Sequence, residues 1–346
     1  MKKTLIALAV LAAGSASAAE IYNQDGVAVT VSGAGEVQLY QTYEADGTDV
    51  STKLRIDDMQ LNTHGTIEVA EGLNAIVGLD FTFEDNDSGA KGTVKTDGSY
   101  VGFAYADYGT ITYGRQYLIA DDSGIGADFE VGKGQYGQNE TSATDVIKYV
   151  YDNGTFYFGL SHDLDESQTN SATSGVANNP TDETSTDGRV GFRMNGFDAR
   201  LYVYSGDDVN VDSANKDKTV GGVAYKDGDS IVGNEDSYNL EVVYSADMYE
   251  VGASYGNRDV DSGSSKYMDI DIFEIYGSYT MDNTTFSLGY VHNDDDASNV
   301  DGDNIYGVVV YKMNANVRTY AEIGFYDDST STDYDPAYTL GMEVKF

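Results

Sequence analysis

Apolar and polar side chains alternate with a period of two along much of this chain, and the last ten residues show the pattern most clearly. Alternation of this kind places one type of side chain on each face of a β-strand. We expect a strand that ends on the final aromatic residue to belong to a closed barrel, because the last strand of a barrel must reach the first and pair with it. The apolar face of this strand carries Tyr338, Leu340, Met342, Val344 and Phe346.

Alternating segments of about ten residues recur along the chain, and this is the length of a tilted β-strand that crosses a membrane. The first covers residues 27–39, with valine, glycine or leucine at every odd-numbered position. We count about 16 such segments. The 39 glycines and only two prolines also suit many paired strands joined by tight turns. The sequence therefore predicts an all-β fold, a transmembrane antiparallel β-barrel of about 16 strands.

The connections between these segments alternate between short and long, which distinguishes the two ends of the predicted barrel. Asn-Gly and related pairs favour tight hairpins, and long acidic stretches lie between them. This sorting is typical of short periplasmic turns and long external loops, whereas a β-sandwich would not separate its loops in this way. The short connections are Glu71–Gly72, Asp107–Gly109, Asp152–Gly154, Asn195–Gly196, Ala246–Asp247, Asp282–Asn283 and Asn314–Asn316, and the long ones include Asp163–Asp187, Gly206–Asp236 and Asn293–Asp303.

Charged side chains fall almost entirely on the polar face of the predicted strands. An arginine or lysine that faced lipid at the middle of the membrane would cost about 2–4 kcal/mol, whereas one that faces the lumen stays hydrated. Arg115, at the end of a strand, is the clearest exception. We therefore expect a water-filled lumen, and the basic residues expected on its wall are Lys148, Arg189, Arg193, Arg200, Lys312 and Arg318.

The first 18 residues have the three parts of a secretory signal peptide. Two lysines precede an apolar run over residues 5–13, and Ala16-Ser17-Ala18 supplies the small residues of a cleavage site. We expect cleavage after Ala18, followed by a single barrel domain over residues 19–346. An exported barrel of this kind is predicted to lie in the outer membrane of a Gram-negative bacterium.

The charge of the chain excludes several functions. The formal net charge is −38, and loss of the two leader lysines would bring it to −40, because 18 basic side chains then stand against 58 acidic ones. Such an acidic surface repels nucleic acid, and no basic patch offsets it, so no nucleic-acid partner is expected. The chain has no cysteine, which excludes thiol chemistry.

Catalysis and metal binding have little support in the sequence. Only three histidines are present, and the adjacent pair Ser161-His162 would face opposite sides of a strand. The G-x-G-x-x-G stretch at 132–137 opens no helical pattern, and the aspartates of 294–303 lack the spacing of an EF-hand. We expect no enzymatic activity, no cofactor and no dedicated metal site, while weak binding of divalent cations by the acidic loops stays open.

Three short stretches resemble the Gram-negative general porins, which are trimeric proteins of the outer membrane. Residues 19–26 resemble their amino terminus, Tyr105–Gln116 resembles their internal signature ending in Tyr-Gly-Arg, and the ending at Phe346 resembles the assembly signal of such barrels. The resemblance implies a 16-stranded barrel, usually a homotrimer, that admits small hydrophilic solutes and ions by passive diffusion. It also implies contact with outer-membrane lipids, lipopolysaccharide and the barrel-assembly machinery.

In that family the third external loop folds into the lumen and narrows it. The matching segment here runs from about Tyr117 to Thr144, directly after Arg115, which we interpret as the loop root. The resemblance implies that carboxylates of this loop form the acidic side of the pore constriction, and the candidates are Asp121, Asp122, Asp128 and Glu130.

The family's ladder of basic residues on the opposite wall has no counterpart at the matching positions. These positions hold Ala34, Gln60, Asp97 and Ser142. Nearby, Arg55 and His64 are candidates for a displaced positive side, together with the basic wall residues above. A lumen with excess carboxylate attracts cations and repels anions within about 8–10 Å at physiological salt. We therefore predict a cation-selective channel.

Two other functions stay open at this stage. A substrate-specific channel, for example for sugars, would need aromatic side chains along the lumen, and most tyrosines are expected near strand ends instead. A non-conducting structural barrel or adhesin is the second alternative, because loop sequences do not reveal their ligands. The aromatic candidates for the lumen are Phe129, Tyr136, Tyr202 and Tyr320.

Overall fold

The structure, a computed structural model, describes residues 18–45, 52–83, 94–164, 183–213, 218–220, 223–225, 230–330 and 332–346. The predicted signal peptide lies outside these residues apart from Ala18, so its cleavage stays a prediction. No helix in the described part of the chain is long and apolar enough to cross a membrane. A 3-10 turn at Ala120–Asp122 is the one helical element found there.

Strands make up most of the described chain, and they are numbered in chain order. They are β1 Ala19–Gln24, β2 Val27–Gln41, β3 Glu44–Ala45, β4 Lys53–Ala70, β5 Leu73–Thr82, β6 Lys95–Tyr105, β7 Gly109–Tyr117, β8 Ser142–Asp152, β9 Phe156–Asp163, β10 Thr184–Met194, β11 Phe197–Ser213, β12 Lys218–Val220, β13 Val223–Tyr225, β14 Ser230–Ser245, β15 Tyr249–Ser262, β16 Ser265–Met281, β17 Thr284–Asp295, β18 Val300–Asn314, β19 Val317–Asp328, β20 Tyr334–Asp335 and β21 Ala337–Lys345.

Sixteen of these strands form one closed antiparallel barrel, as the sequence predicts: β2, β4–β11, β14–β19 and β21. Each pairs with the next, and β21 closes the ring because it pairs with β19 on one side and with β2 on the other. β1 continues the line of β21 along the same edge of β2. At this junction Phe346 and Gly33 exchange two backbone hydrogen bonds, of 2.8 and 2.9 Å. The short pairs β3–β20 and β12–β13 lie outside the ring.

The connections at one end of the barrel are tight turns, at the positions that the sequence predicts. Asn195 and Gly196, a predicted turn, have φ values of 52° and 82°. Asp25 and Gly26, in a further turn between β1 and β2 that was not predicted, have φ values of 53° and 77°. Two successive positive φ values characterise the type I′ hairpin, whose twist matches that of paired strands. Glycine and asparagine or aspartate occur there because most other side chains rarely adopt a positive φ.

Two segments predicted as long external loops are partly strand, which corrects the sequence interpretation. β17 and β18 extend into Asn293–Asp303 and leave only residues 296–299 between them, and β11 and β14 likewise extend into Gly206–Asp236. Their many aspartates suggested loops, but strand extensions beyond the lipid can carry charges on both faces. Most of the third segment, Asp163–Asp187, lies outside the described residues.

The outer face of the barrel is apolar and the inner face is largely polar. On β21, Leu340 and Met342 are exposed on the outside, whereas Glu343 is buried on the inside. β5 follows the same order, with Val77 exposed and Asn74 buried. A face of this kind can lie against lipid, and the opposite face can hold a hydrated lumen.

Inward-facing tyrosines lie directly opposite glycines on the neighbouring strand at five places around the barrel. In each pair a Cβ on the glycine would overlap the tyrosine ring, so the ring covers the bare backbone of the next strand. These tyrosines face the lumen and do not belong to an aromatic girdle at the strand ends. Each occupies the position that the strand register places opposite a glycine. The pairs are Tyr100–Gly78, Tyr157–Gly191, Tyr276–Gly252, Tyr306–Gly289 and Tyr320–Gly341.

Filling one of these glycines should destabilise the barrel. In Gly289→Ala the new Cβ would overlap the Tyr306 ring, and we expect the free energy of unfolding to fall by about 1–3 kcal/mol, as at other overpacked sites. Gly307→Ala is the matched control, because the nearest atom to its Cβ, the Ser287 carbonyl oxygen, lies 3.9 Å away. Urea unfolding in detergent, followed by the gel shift between folded and unfolded barrel, measures both variants. Equal stabilities would contradict the role of the pairing.

Candidate functional site: a loop inside the barrel

The connection between β7 and β8, residues 118–141, lies inside the barrel, and we call it the inner loop. It bonds to inward-facing residues of β9, β10, β11, β14, β16, β18 and β19. These strands form one long arc of the wall, and the inner loop lines that arc. The prediction that this segment folds into the lumen is confirmed.

Five wall carboxylates hold the backbone of the inner loop, each by accepting a hydrogen bond from one of its amides. A loop inside a lumen must find partners for its amides, and the carboxyl oxygens of the wall accept their hydrogen bonds. Several carboxyl groups on this part of the wall therefore hold the loop in place. The pairs, with the donating amide first, are Ala120–Asp187, Gly124–Glu241 at 2.7 Å, Phe129–Glu322 at 2.7 Å, Tyr136–Glu274 at 2.8 Å and Asn139–Glu235 at 3.2 Å.

The tip of the inner loop also packs against the wall through apolar and aromatic contacts. Val131 is fully buried in a cluster with side chains of β16, β17 and β18. The ring of Phe129 stacks on that of Tyr320, with centroids 3.6 Å apart. The ammonium of Lys133 lies 4.0 Å from the ring centroid of Tyr326, a distance typical of a cation–π contact. These contacts make the tip part of the packed barrel.

Two predicted acids of the inner loop form ion pairs with basic residues of the wall. Asp122 pairs with Arg189 at 2.7 Å, and Glu130 pairs with Arg55 at 2.7 Å. Arg55 also contacts Asp57 at 2.8 Å, so one guanidinium is shared by two carboxylates. Arg55 lies on β4. This contact therefore joins the tip of the loop to the wall beyond β2, the strand that pairs with β21 on one edge and with β4 on the other.

The other two predicted acids have different surroundings. Asp121 is exposed, and no basic side chain among the described residues forms an ion pair with it. Asp128 accepts hydrogen bonds from the amide of Gly132 and from the side chain of Gln135, both at 2.7 Å. Asp128 therefore closes the loop on itself, and Asp121 is open to the bore. The roles of all four acids in the constriction stay predictions.

The remaining basic residues predicted for the wall lie on inward-facing positions at separate heights. Lys148 donates to the backbone carbonyl of Tyr117 at 2.8 Å. Lys312 is exposed and lies opposite Arg318, close to the tight-turn end of the barrel. No continuous ladder results, and the three arginines have acidic partners. These pairs are Arg193–Asp152 at 2.8 Å, Arg200–Glu241 and Arg318–Glu343.

Arg115 lies at the base of the inner loop, where the sequence analysis expects the loop root. A β-bulge between Gly114 and Gln116 interrupts the pairing of β7 with β8 at this position. The guanidinium donates to the carbonyl of Thr96 at 2.7 Å and to the hydroxyl of Thr144 at 3.2 Å. Arg115 thus ties β6 to β8 beside the loop, which accounts for its place outside the alternation. Its role as a loop root remains a prediction.

The inner loop leaves one side of the wall open. Its hydrogen bonds and ion pairs described above go to β9–β19, apart from the contact of Glu130 with Arg55. Leu118 and Ala120 of the loop pack against Ala143 and Val146 of β8, so the open bore runs between the loop and the inner faces of β5–β7 and the rest of β8. The inner loop therefore occupies part of the lumen and leaves a path beside it.

A closed barrel with an apolar exterior, a polar lumen and a loop folded inside it is an outer-membrane channel. The family model of the Gram-negative porins matches residues 4–331, and the chain belongs to this family. It is 38% identical to Porin-like protein H of Photobacterium profundum, over the full length of both chains. The protein is accordingly a porin of the Gram-negative outer membrane.

Two solved outer-membrane proteins share the fold at low sequence identity. The trimer form of OmpT from Vibrio cholerae gives a TM-score of 0.69 at 16% identity, over 93% of this chain and 100% of that one. The anion-selective porin from Comamonas acidovorans gives a TM-score of 0.67 at 17% identity, over 92% of this chain and 100% of that one. These likenesses concern the fold alone.

Removing two anchoring acids should loosen the inner loop. In the double variant Glu274→Ala with Glu322→Ala, two loop amides lose their acceptors, and we expect trypsin to cleave after Lys133 at least about tenfold faster. Glu250→Ala is the control, because this inward acid bonds to Ser245 and Tyr276 rather than to the loop. Mass spectrometry of timed digests in detergent gives the rates. Cleavage at the same rate in the wild type and the double variant would contradict the anchoring.

Proposed function

We propose that this porin is a passive, cation-selective channel for small hydrophilic solutes and ions. The observation that carries the proposal is the excess of carboxylate along the path. Asp121 of the inner loop is exposed, and Asp57 of β4 and Glu130 of the inner loop face one guanidinium group, that of Arg55. Facing carboxylates make the local potential negative, so cations concentrate there and anions are repelled.

Side chains rather than the fold must set this selectivity. The porin of Comamonas acidovorans has the same fold and is described as anion-selective. In the present chain, 58 acidic residues stand against 20 basic ones. Where the tip of the inner loop meets β4, Arg55 contacts both Asp57 and Glu130, so one guanidinium group faces two carboxyl groups. This local imbalance has the sign that the proposal requires.

Neutralising an acid beside the bore should weaken the selectivity. In a potassium chloride gradient we expect a reversal potential that favours potassium and that shrinks at high salt, because screening shortens the reach of the charges. Glu130→Gln should move it toward zero by removing one of the two carboxylates at Arg55. Asp282→Asn is the control, because it changes the same charge in a tight turn whose φ of 53° asparagine adopts readily.

Three results would count against the proposal. A wild-type reversal potential that favours chloride would refute cation selectivity. Equal shifts of the reversal potential in Glu130→Gln and Asp282→Asn would show that Glu130 has no special role in the selectivity. A folded barrel without conductance in planar bilayers would favour the alternative of a structural barrel or adhesin.

The proposal includes the expectations about export and partners. The leader is cleaved after Ala18, and sequencing of the exported protein from its amino terminus, starting at Ala19, tests this. Residues 338–346 serve as the signal to the barrel-assembly machinery, and lipids and lipopolysaccharide surround the barrel. We propose no enzymatic activity and no cofactor, since the residues gathered in the lumen anchor a loop and line a path.

We further propose that the protein is a homotrimer that associates through the outer face of its early strands. An apolar groove of about 730 Å³ lies there across β2 and β4–β8, lined by Val77, Val101 and Phe103 among others. A groove on the convex exterior of a barrel fits the side chains of another protein better than mobile lipid tails, because close packing needs a shaped partner. The OmpT of Vibrio cholerae has a trimer form.

Single cysteines give a direct test of the trimer face, because the chain has none of its own. We expect Val101→Cys, in the groove, to form cross-linked dimers with a short bis-maleimide in intact outer membranes. Leu288→Cys is the control, because Leu288 is 63% exposed on β17, outside the groove. Gel electrophoresis of the treated membranes gives both yields. Equal cross-linking of both variants, or none of Val101→Cys, would contradict this face.

A further inference from the structure

We infer that the open side of the bore carries a binding subsite for a neutral, hydroxylated ring of the size of a monosaccharide. The inference rests on the proposal that the barrel conducts solutes. A cavity of about 340 Å³ lies in the inner wall across β4–β8, on the side of the barrel that the inner loop leaves mostly uncovered. This volume falls in the range of roughly 300–1,000 Å³ for small-molecule sites. A solute that crosses the bore must pass this wall.

Tyr100 gives the cavity an aromatic platform. It lies opposite Gly78, where a Cβ would overlap the ring, so one side of the ring covers the backbone and the rest lines the cavity. Ile76 and Val150 extend this apolar floor. The carbon-bound hydrogens on one face of a sugar ring pack on such a surface, whereas a linear ion gains little from it.

Hydrogen-bond donors and hydrogen-bond acceptors surround the Tyr100 ring. On one side, His64 Nε2 lies 3.0 Å from Asp80 Oδ1 and 3.3 Å from the hydroxyl of Tyr100. On the other side, Lys148 uses one hydrogen bond on the carbonyl of Tyr117, and an ammonium group has three protons to donate. Sugar hydroxyls donate and accept at once, so a ring lying on Tyr100 finds an acceptor and donors at its edge.

The charges of the cavity favour a neutral ligand over an ion. Asp80 and Lys148 both line it and have opposite signs. A small anion would meet Asp80, and a small cation would meet Lys148. An aliphatic amino acid is the competing occupant because it carries both signs, but it has no ring to lie on Tyr100. The aromatic surface of Tyr100 therefore favours a hydroxylated ring over an amino acid as the ligand.

Single-channel recording with D-glucose in symmetrical potassium chloride tests the subsite. We expect brief, concentration-dependent interruptions of the open-channel current. Tyr100→Ala should lower the apparent affinity on the order of tenfold, and Tyr100→Phe should keep most of it because the ring remains. Tyr157→Ala is the matched control, since Tyr157 also covers a glycine, Gly191, but lies outside the cavity; it should leave the interruptions unchanged.

The recordings separate this inference from the proposed channel function. Open-channel current without interruptions by glucose would overturn the subsite and leave the channel standing, whereas absence of current would overturn both. An equal loss of affinity in Tyr100→Ala and Tyr157→Ala would overturn it as well. Interruptions by glycine that depend on Tyr100, with none by glucose, would assign the cavity to zwitterions and overturn the proposed ligand class.

Discussion

Every backbone amide and carbonyl within the lipid needs a partner inside the protein, because hydrocarbon supplies none. The ring of sixteen strands meets this need only if its first and last strands meet without a gap. β1 and β21 share one edge of β2, and Phe346 bonds to Gly33 where they meet. Alternation then follows from closure, since each strand has one face toward lipid and one toward water.

The same requirement governs the loop inside the lumen. A segment that leaves the sheet gives up its ladder of hydrogen bonds, and here carboxylates of the wall replace that ladder. Carboxylates only accept, so they cannot satisfy one another and must face amides, hydroxyls or guanidinium groups. An acidic wall thus suits a loop that offers amides.

Residues that act within one strand or turn could be predicted from the sequence, and residues that act across strands could not. Alternation and turn residues indicated the barrel, the tight turns and the segment that enters the lumen. The contact of Arg55 with Glu130 joins two distant parts of the chain, and the pairing of Tyr100 with Gly78 depends on register. Both required a structure. Asn293–Asp303 was mistaken for a long loop because aspartate-rich strand extensions and loops have similar composition.

Two kinds of selection can operate in one bore because they act over different distances. In the proposed channel, exposed carboxylates such as that of Asp121 on the inner loop act on ions over several ångströms through their potential. A neutral solute has no net charge for that potential to attract, so only groups in contact with it matter. Because most of the described bonds of the loop go to β9–β19, the opposite wall is free to make such contacts, and there Tyr100, His64 and Lys148 surround one cavity. Fixing the loop to one side of the barrel thereby determines which wall can recognise a solute.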